Sequence, residues 1–372
     1  MTNTSAADAR LASIDATRGF DMFFIMGGEG LLANLAALFG HPEFRHTLDH
    51  AAWDGFHFMD TIFPTFLFLA GMTFPFSAAK SRANGASTRG IALKALRRCL
   101  LLVLLGLVYN GPLLHFDFAH MRVWSVLGRI GIAWFGAALL YLAFRTKTRI
   151  GIAAALLAGV ALFMRFVLAP DAPAGASPFS PEGNFGCWLD RALTGGHTFR
   201  PLFDPEGFAG ILPAIVTAML GTFSGELVRR PDIAPGRKCL WLAAYAAGLL
   251  ALGLALSPVC PVNKALWSPS FVLVAGAYST FLFLAFYAVI DVLGFVKWSF
   301  PLKVIGMNPI AIYLGQAVIG ARQANDFLFG WSWRHLPPAY GNLQPVMVCL
   351  GYILVCWLFL FFLYRKKTFL KV

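Results

Sequence analysis

Ten stretches of about 20 predominantly apolar residues run through this sequence, and that is the length an α-helix needs to cross the hydrocarbon core of a bilayer. They fall at 18–39, 59–79, 95–114, 123–144, 150–169, 208–228, 239–256, 271–293, 303–323 and 343–364. Lipid offers no partner to a bare backbone N–H or C=O, so such runs are helical. The expected fold class is all-α: a polytopic membrane bundle of about ten helices. Composition agrees, since only 13% of residues are charged where a soluble domain has about 25%. The mean hydropathy is +0.67. Residues 1–17 read as a short cytosolic lead, 18–364 as one transmembrane unit and 365–372 as a basic tail. The lead lacks the basic, then apolar, then small-residue order of a cleaved signal, so the first apolar run is expected to stay as a helix.

Orientation follows from the basic residues. With both termini in the cytosol and the spans alternating, 21 of the 30 Lys and Arg fall on the cytosolic side, including Arg10 and Lys371. Cytosolic loops of membrane proteins carry such an excess. The net charge of +12 is therefore a topology signal rather than a footprint for nucleic acid. All eight histidines, among them His115 and His120, then lie in outer loops or at outer helix ends. The longest outer loop, roughly 170–207, is rich in Pro and Gly and reads as an ordered cap. The six cysteines show no ligand spacing and read mostly as small apolar residues. Cys187 and Cys260 both fall outside the cytosol, where a disulfide between them is one arrangement.

Ionisable residues inside membrane helices are costly and usually face the protein interior or a water-filled cavity. Here they include Asp21, Glu29, Asp60, Arg129 and Arg165. Glu29, in "IMGGEGLL", is either a paired structural carboxylate or a functional one. Arg129 either anchors an anionic group or pairs with Asp60 or Glu29. The densest cluster is "DHAAWDGFHFMD" (49–60). In it, His50 can take and return a proton near neutral pH, with Asp49, Asp54, Asp60 and Glu29 as possible partners. The alternative is a histidine that only caps a helix or bonds to the backbone. His41, His46, His50 and His57 share no simple helical face, so no metal is expected. In "FDPEGFAG" (203–210), Asp204 and Glu206 either recognise a cationic or hydroxyl-rich ligand or cap the following helix. "CPVNKALWSPS" offers Asn263, Lys264 and Trp267, the last read as an interfacial belt residue. Asn308 stands beside Pro309 within the expected ninth helix, where it can satisfy a carbonyl freed by the proline.

Taken in order, "SIDATRGFDMFF", "HAAWDGFHFMDTIFPTFLFLAGMTFPFS", "LLGLVYNGPL", "RVWSVLGRIGIAWF", "DPEGFAGILPAIVTAMLG", "PVNKALWSPSFV" and "PLKVIGMNPIAIYLG" span roughly residues 11–320. This ordered set resembles the transmembrane acyltransferases typified by the lysosomal heparan-α-glucosaminide N-acetyltransferase and its bacterial relatives. The resemblance implies transfer of an acetyl group from cytosolic acetyl-CoA to an amino sugar across the membrane. It also implies that His50, the histidine before the "W[ND]G" motif, is the active-site base. The lysosomal enzymes carry an asparagine where an ungapped count places Glu29 here, and an ionised carboxylate cannot donate a hydrogen bond. The large lumenal N-terminal domain of those enzymes has no counterpart in the 17 leading residues. The implied location is a bacterial cytoplasmic (inner) membrane, multi-pass.

On this basis the catalytic candidates are His50, Glu29 and Asp60. Acceptor-binding candidates are Trp53, Asp54, Arg129, Asp204, Glu206, Asn263, Lys264 and Asn308. Arg97 and Arg98 are candidates for the acetyl-CoA phosphates, and Arg129, Asn263 and Asn308 for oxyanion donors. Transfer is either direct or by way of an acetyl-histidine. The rival class is a transporter of amino sugars or small glycans, which the lack of an internal repeat weakens. O-acetylation of a surface polysaccharide is a further alternative. Strong coupling of Glu29 to His50 favours that hydroxyl acceptor, and weak coupling the amine. A homodimer is a candidate assembly.

Overall fold

The computed structural model describes residues 11–111, 121–318 and 320–370. Arg10, His115, His120 and Lys371 lie outside the described residues. No strand occurs among the described residues, and eight helices are long and apolar enough to cross a membrane. The protein is a polytopic helical membrane protein.

The first span, Ala12–Leu38, starts six residues earlier than its apolar run. It consists of α1 (Ala12–Phe23) and α2 (Glu29–Leu38), joined by a π turn over Phe24–Gly28. Gly27 there has φ +104°, a conformation open to glycine and strained for a residue with a Cβ. The chain continues through the short α3 (Arg45–Leu48) into α4 (Ile62–Ala83), α5 (Thr88–Tyr109), α6 (Val126–Ala143) and α7 (Thr146–Phe166). The outer loop then carries α8 (Phe185–Thr194), followed by α9 (Ile211–Arg229), α10 (Pro235–Leu256) and α11 (Pro269–Phe286). The last elements are α12 (Phe300–Gly306), α13 (Pro309–Val318), α14 (Ala321–Arg334) and α15 (Gln344–Arg365).

Two of the ten expected spans depart from that pattern. Helix α5 is 22 residues long, but Arg89, Lys94, Arg97 and Arg98 charge its first three turns, and it is not among the eight. The 303–323 run breaks between α12 and α13 at Met307–Asn308. Pro309 has no N–H to give to a continuing helix and opens the next one instead. A second break follows at Gly320, which has φ +58°.

Burial sorts the spans. Helices α4, α9 and α11 bury 72%, 67% and 61% of their apolar windows, while α7, α10 and α15 bury 17%, 22% and 22%. The first three are the centre. The others expose apolar side chains such as Leu162, Leu252 and Phe362, as a lipid-facing surface does. Helices α4 and α9 cross with backbones in contact. A Cβ on Gly71 would stand 2.0 Å from the Ala218 carbonyl oxygen, and one on Gly221 or Gly225 would meet the Phe68 or Met72 oxygen at 2.0 or 2.2 Å. This is close packing through small residues, with Gly221 and Gly225 in GxxxG spacing. Helices α1 and α12 repeat it: Gly19 abuts Leu302 and Gly306 abuts Asp15.

Several polar groups in this core bond across helices, whereas both oxygens of buried Asp21 have no hydrogen-bond partner among the described residues. Thr65 and Ser279 share a 2.9 Å hydrogen bond, and Trp134 Nε1 donates to the Ala70 oxygen at 3.0 Å. Arg149 on α7 reaches α9, bonding Glu226 at 2.5 Å and Thr222 at 3.2 Å.

Candidate active site

Beyond the kink at Gly27 the first span ends at Leu38, and a loop then runs from Gly40 to the head of α4. Asp60 closes that loop. It sits in the 3-10 turn Phe58–Asp60 and is buried. Its Oδ2 accepts the backbone N–H groups of Ala51 and His57, both at 3.1 Å, and its Oδ1 lies 2.7 Å from His50 Nδ1. One carboxylate therefore folds the loop and fixes the imidazole. A carboxylate only accepts, so Nδ1 carries the proton and Nε2 keeps its lone pair. The His50 side chain is 56% exposed.

The other candidates in this stretch tie the loop to its neighbours. Trp53 Nε1 donates to the Phe179 oxygen at 2.8 Å, and its ring meets Phe203 edge-on. Asp54 accepts from Asn263 Nδ2 at 3.0 Å, while Asn263 Oδ1 caps Leu266 N–H at 2.9 Å. Gly55 N–H bonds the Val262 oxygen at 2.8 Å. Lys264 Nζ lies 3.1 Å from His50 Nδ1 and 3.5 Å from Asp60 Oδ1. Burial pushes this ammonium below the ordinary lysine value, against the pull of Asp60 and Glu206.

A second cluster lies beside the first. Arg122 grips Asp204 through Nε at 2.7 Å and Nη2 at 2.5 Å, and the same Nη2 contacts Glu206. Asp204 also accepts Phe199 N–H and Glu206 N–H. The two acids thus hold the outer loop together. Arg129 pairs with neither Asp60 nor Glu29. Its Nη2 donates to the Gly207 oxygen at 2.6 Å, its guanidinium stacks 5.1 Å over Trp267, and it is 2% exposed. Trp267 is no interfacial belt residue: it is fully buried and donates to Thr217 Oγ1 at 3.1 Å. Glu29 is half-buried and faces Asp49, with His50 and Arg45 nearby.

A cavity of about 680 Å³ connects this cluster to the far side of the bundle. His50, Lys264 and Glu206 line one end, and Arg18, Lys80 and Arg98 the other, with apolar residues such as Met22, Phe63 and Leu127 between. Arg98 stacks 4.3 Å from the Trp134 ring centre, whereas Arg97 is exposed on α5 and does not line the cavity. Arg129, Asn263 and Asn308 are absent from the lining as well. Asn308 sits at the break before α13, not inside a helix. Its amide donates to the Thr368 oxygen and accepts Leu370 N–H, both at 2.9 Å.

Lys80 and Arg18 were legible only as cytosolic charge, and Arg122 only as an outer basic residue. Nothing local in the sequence marked their partners. Cys187 and Cys260 share one buried apolar cluster as free thiols, and burial pushes Cys187 up to about 12. Among the described residues, no three His, Cys, Asp or Glu side chains gather as a metal site.

No family model matches this sequence. Two curated relatives align along nearly all of it. The human heparan-α-glucosaminide N-acetyltransferase is 27% identical over 426 aligned positions, covering 99% of this chain and 61% of the human protein. The mouse protein of the same name is 26% identical over 418 positions, covering 98% of this chain and 62% of the mouse protein. Along nearly its whole length the chain is thus similar to these N-acetyltransferases. It spans about three-fifths of the length of those relatives. The aligned region, 99% and 98% of this chain, takes in the helices described above and both ends of the cavity.

Proposed function

We propose that this protein is a transmembrane N-acetyltransferase that moves the acetyl group of acetyl-CoA to a glucosamine-like amine on the opposite side of the membrane. The observation that carries this reading is the cavity. It joins a basic end, suited to the phosphates of a CoA thioester, to a histidine whose Nδ1–H is held by a buried carboxylate. The names of the two relatives supply the acyl group and the class of acceptor. In the proposed orientation Arg18, Lys80 and Arg98 face the cytosol and His50 the outer side.

The thioester reaches along the apolar middle of the cavity to His50. The acceptor's neutral amine attacks the acetyl carbon, forming the N–C bond, and His50 Nε2 takes the amine proton. The C–S bond then breaks, and the thiolate leaves with that proton as CoA. Asp60 stabilises the imidazolium between the two steps. Glu29 turns toward Asp49 rather than bonding His50, which favours the amine over a hydroxyl acceptor, because a hydroxyl needs the stronger base.

The test uses purified protein, radiolabelled acetyl-CoA and a panel of glucosamine and its oligomers. Label is expected on the amino sugar with wild type and not with His50→Ala. If acetyl-CoA neither binds nor turns over while glucosamine still binds, the bundle is a carrier and the reading fails.

A further inference from the structure

Lys264, expected to contact the acceptor, lines the cavity and also points at the histidine. Its Nζ lies 3.1 Å from His50 Nδ1 and 3.5 Å from Asp60 Oδ1, and Nδ1 is itself 2.7 Å from that same oxygen. One ring nitrogen cannot donate to Asp60 and accept from an ammonium at once. Asp60 already accepts two backbone N–H groups as a carboxylate, so Nδ1 is the donor. Lys264 is then a cation placed against the ring with no hydrogen bond to it. A nearby cation opposes a second positive charge on the imidazole, whereas Asp60 invites one.

The other charged groups around the pair come from several elements. Glu29 on α2, Asp49 and Arg45 stand on the His50 side, and Glu206 of the outer loop and Arg129 on α6 act on Lys264. Glu206 is itself paired with Arg122. Lys264 is therefore the cation in direct contact with the imidazole. Its side chain is 19% exposed, so bulk water screens its charge only in part.

We propose that Lys264 is a positioning residue whose charge keeps His50 neutral in the resting site, leaving Nε2 free to take a proton. Without that charge, Asp60 favours a proton on the ring, and an imidazolium cannot act as a base. The consequence for turnover rests on the acetyl-transfer reading; the protonation state of His50 does not.

Diethyl pyrocarbonate modifies neutral imidazole, so its reaction with His50, followed by peptide mass spectrometry from about pH 5 to 8, reads that state without any substrate. Lys264→Met and Lys264→Gln are expected to raise the midpoint for His50 by about one pH unit, a tenfold fall in the neutral fraction at the acid end. Lys264→Arg keeps the charge and is expected to stay within a few tenths of a unit of wild type. The acid limb of kcat/KM moves with the midpoint. If both neutral variants keep the wild-type midpoint, or if the arginine variant shifts as far as they do, the proposal is overturned. A midpoint shift in a protein that transfers no acetyl group keeps the role of Lys264 and removes the proposed reaction.

Discussion

At the scale of single residues, Asp60 fixes the His50 ring, with its Oδ1 2.7 Å from Nδ1. Four carboxylates were within sequence reach of His50, and helical spacing could not rank them. The one that wins is the one that also binds two loop N–H groups. That sharing makes Asp60→Asn informative. Ala51 and His57 both need an acceptor, so the amide oxygen stays with them and the NH2 turns to His50. Nδ1 must then accept, the ring proton moves to Nε2, and the proposed base is lost. Turnover is expected to fall by about 10²–10⁴-fold, with the unfolding temperature changed far less than the rate. Equal losses in both would show that Asp60 only holds the loop.

At the scale of elements, the α4–α9 crossing sets the frame on which Asp60 and the outer loop are mounted. Gly221→Ala puts a Cβ 2.0 Å from the Phe68 oxygen, so one backbone must retreat, at a cost of about 1–3 kcal/mol. Thermal unfolding in detergent is expected to drop by several degrees. Gly248→Ala, on the open face of α10 with nothing within 4 Å, is expected to leave it unchanged. The outer loop adds a pH dependence. Burial raises Asp190 to about 6, against Arg129 and the N–H groups of Phe208 and Ala209. The folded value lies above the unfolded one, so the contribution to stability is complete below about pH 4 and is lost as pH rises through about 6. The loss is about 3 kcal/mol. Unfolding midpoints of wild type and Asp190→Asn measured across that window should diverge, the wild type falling more steeply. Parallel curves would mean that Asp190 is ionised throughout.

At the scale of the whole molecule, the cavity presents different side chains at its two ends, so the ends can be tested separately. Arg98 lines the end away from His50 and stacks on Trp134. Arg98→Gln is expected to raise KM for acetyl-CoA about tenfold, to weaken its dependence on salt and to leave kcat nearly unchanged. A fall in kcat with KM intact would place the donor elsewhere. Arg97→Gln, exposed on the same helix, serves as the control that sequence alone could not supply.

The sequence by itself determined the all-helical membrane fold and most of the spans, and it singled out the stretch holding His50. Each of those depends on the transfer free energy or chemistry of a contiguous segment, which is local information. It also placed Asp60, Asn263 and Lys264 among the polar residues needing a reason. Only the tertiary structure decided that Arg98 rather than Arg97 faces the cavity, that Trp267 is core, and that Asn308 holds residues 368–370. It likewise assigned Arg122 to Asp204 and Glu206. These pairings join positions up to 214 residues apart, as for Lys264 and His50. They follow from how closely glycine-lined helices cross and where the kinks at Gly27 and Asn308 aim the chain, and no local pattern of apolar residues encodes that geometry.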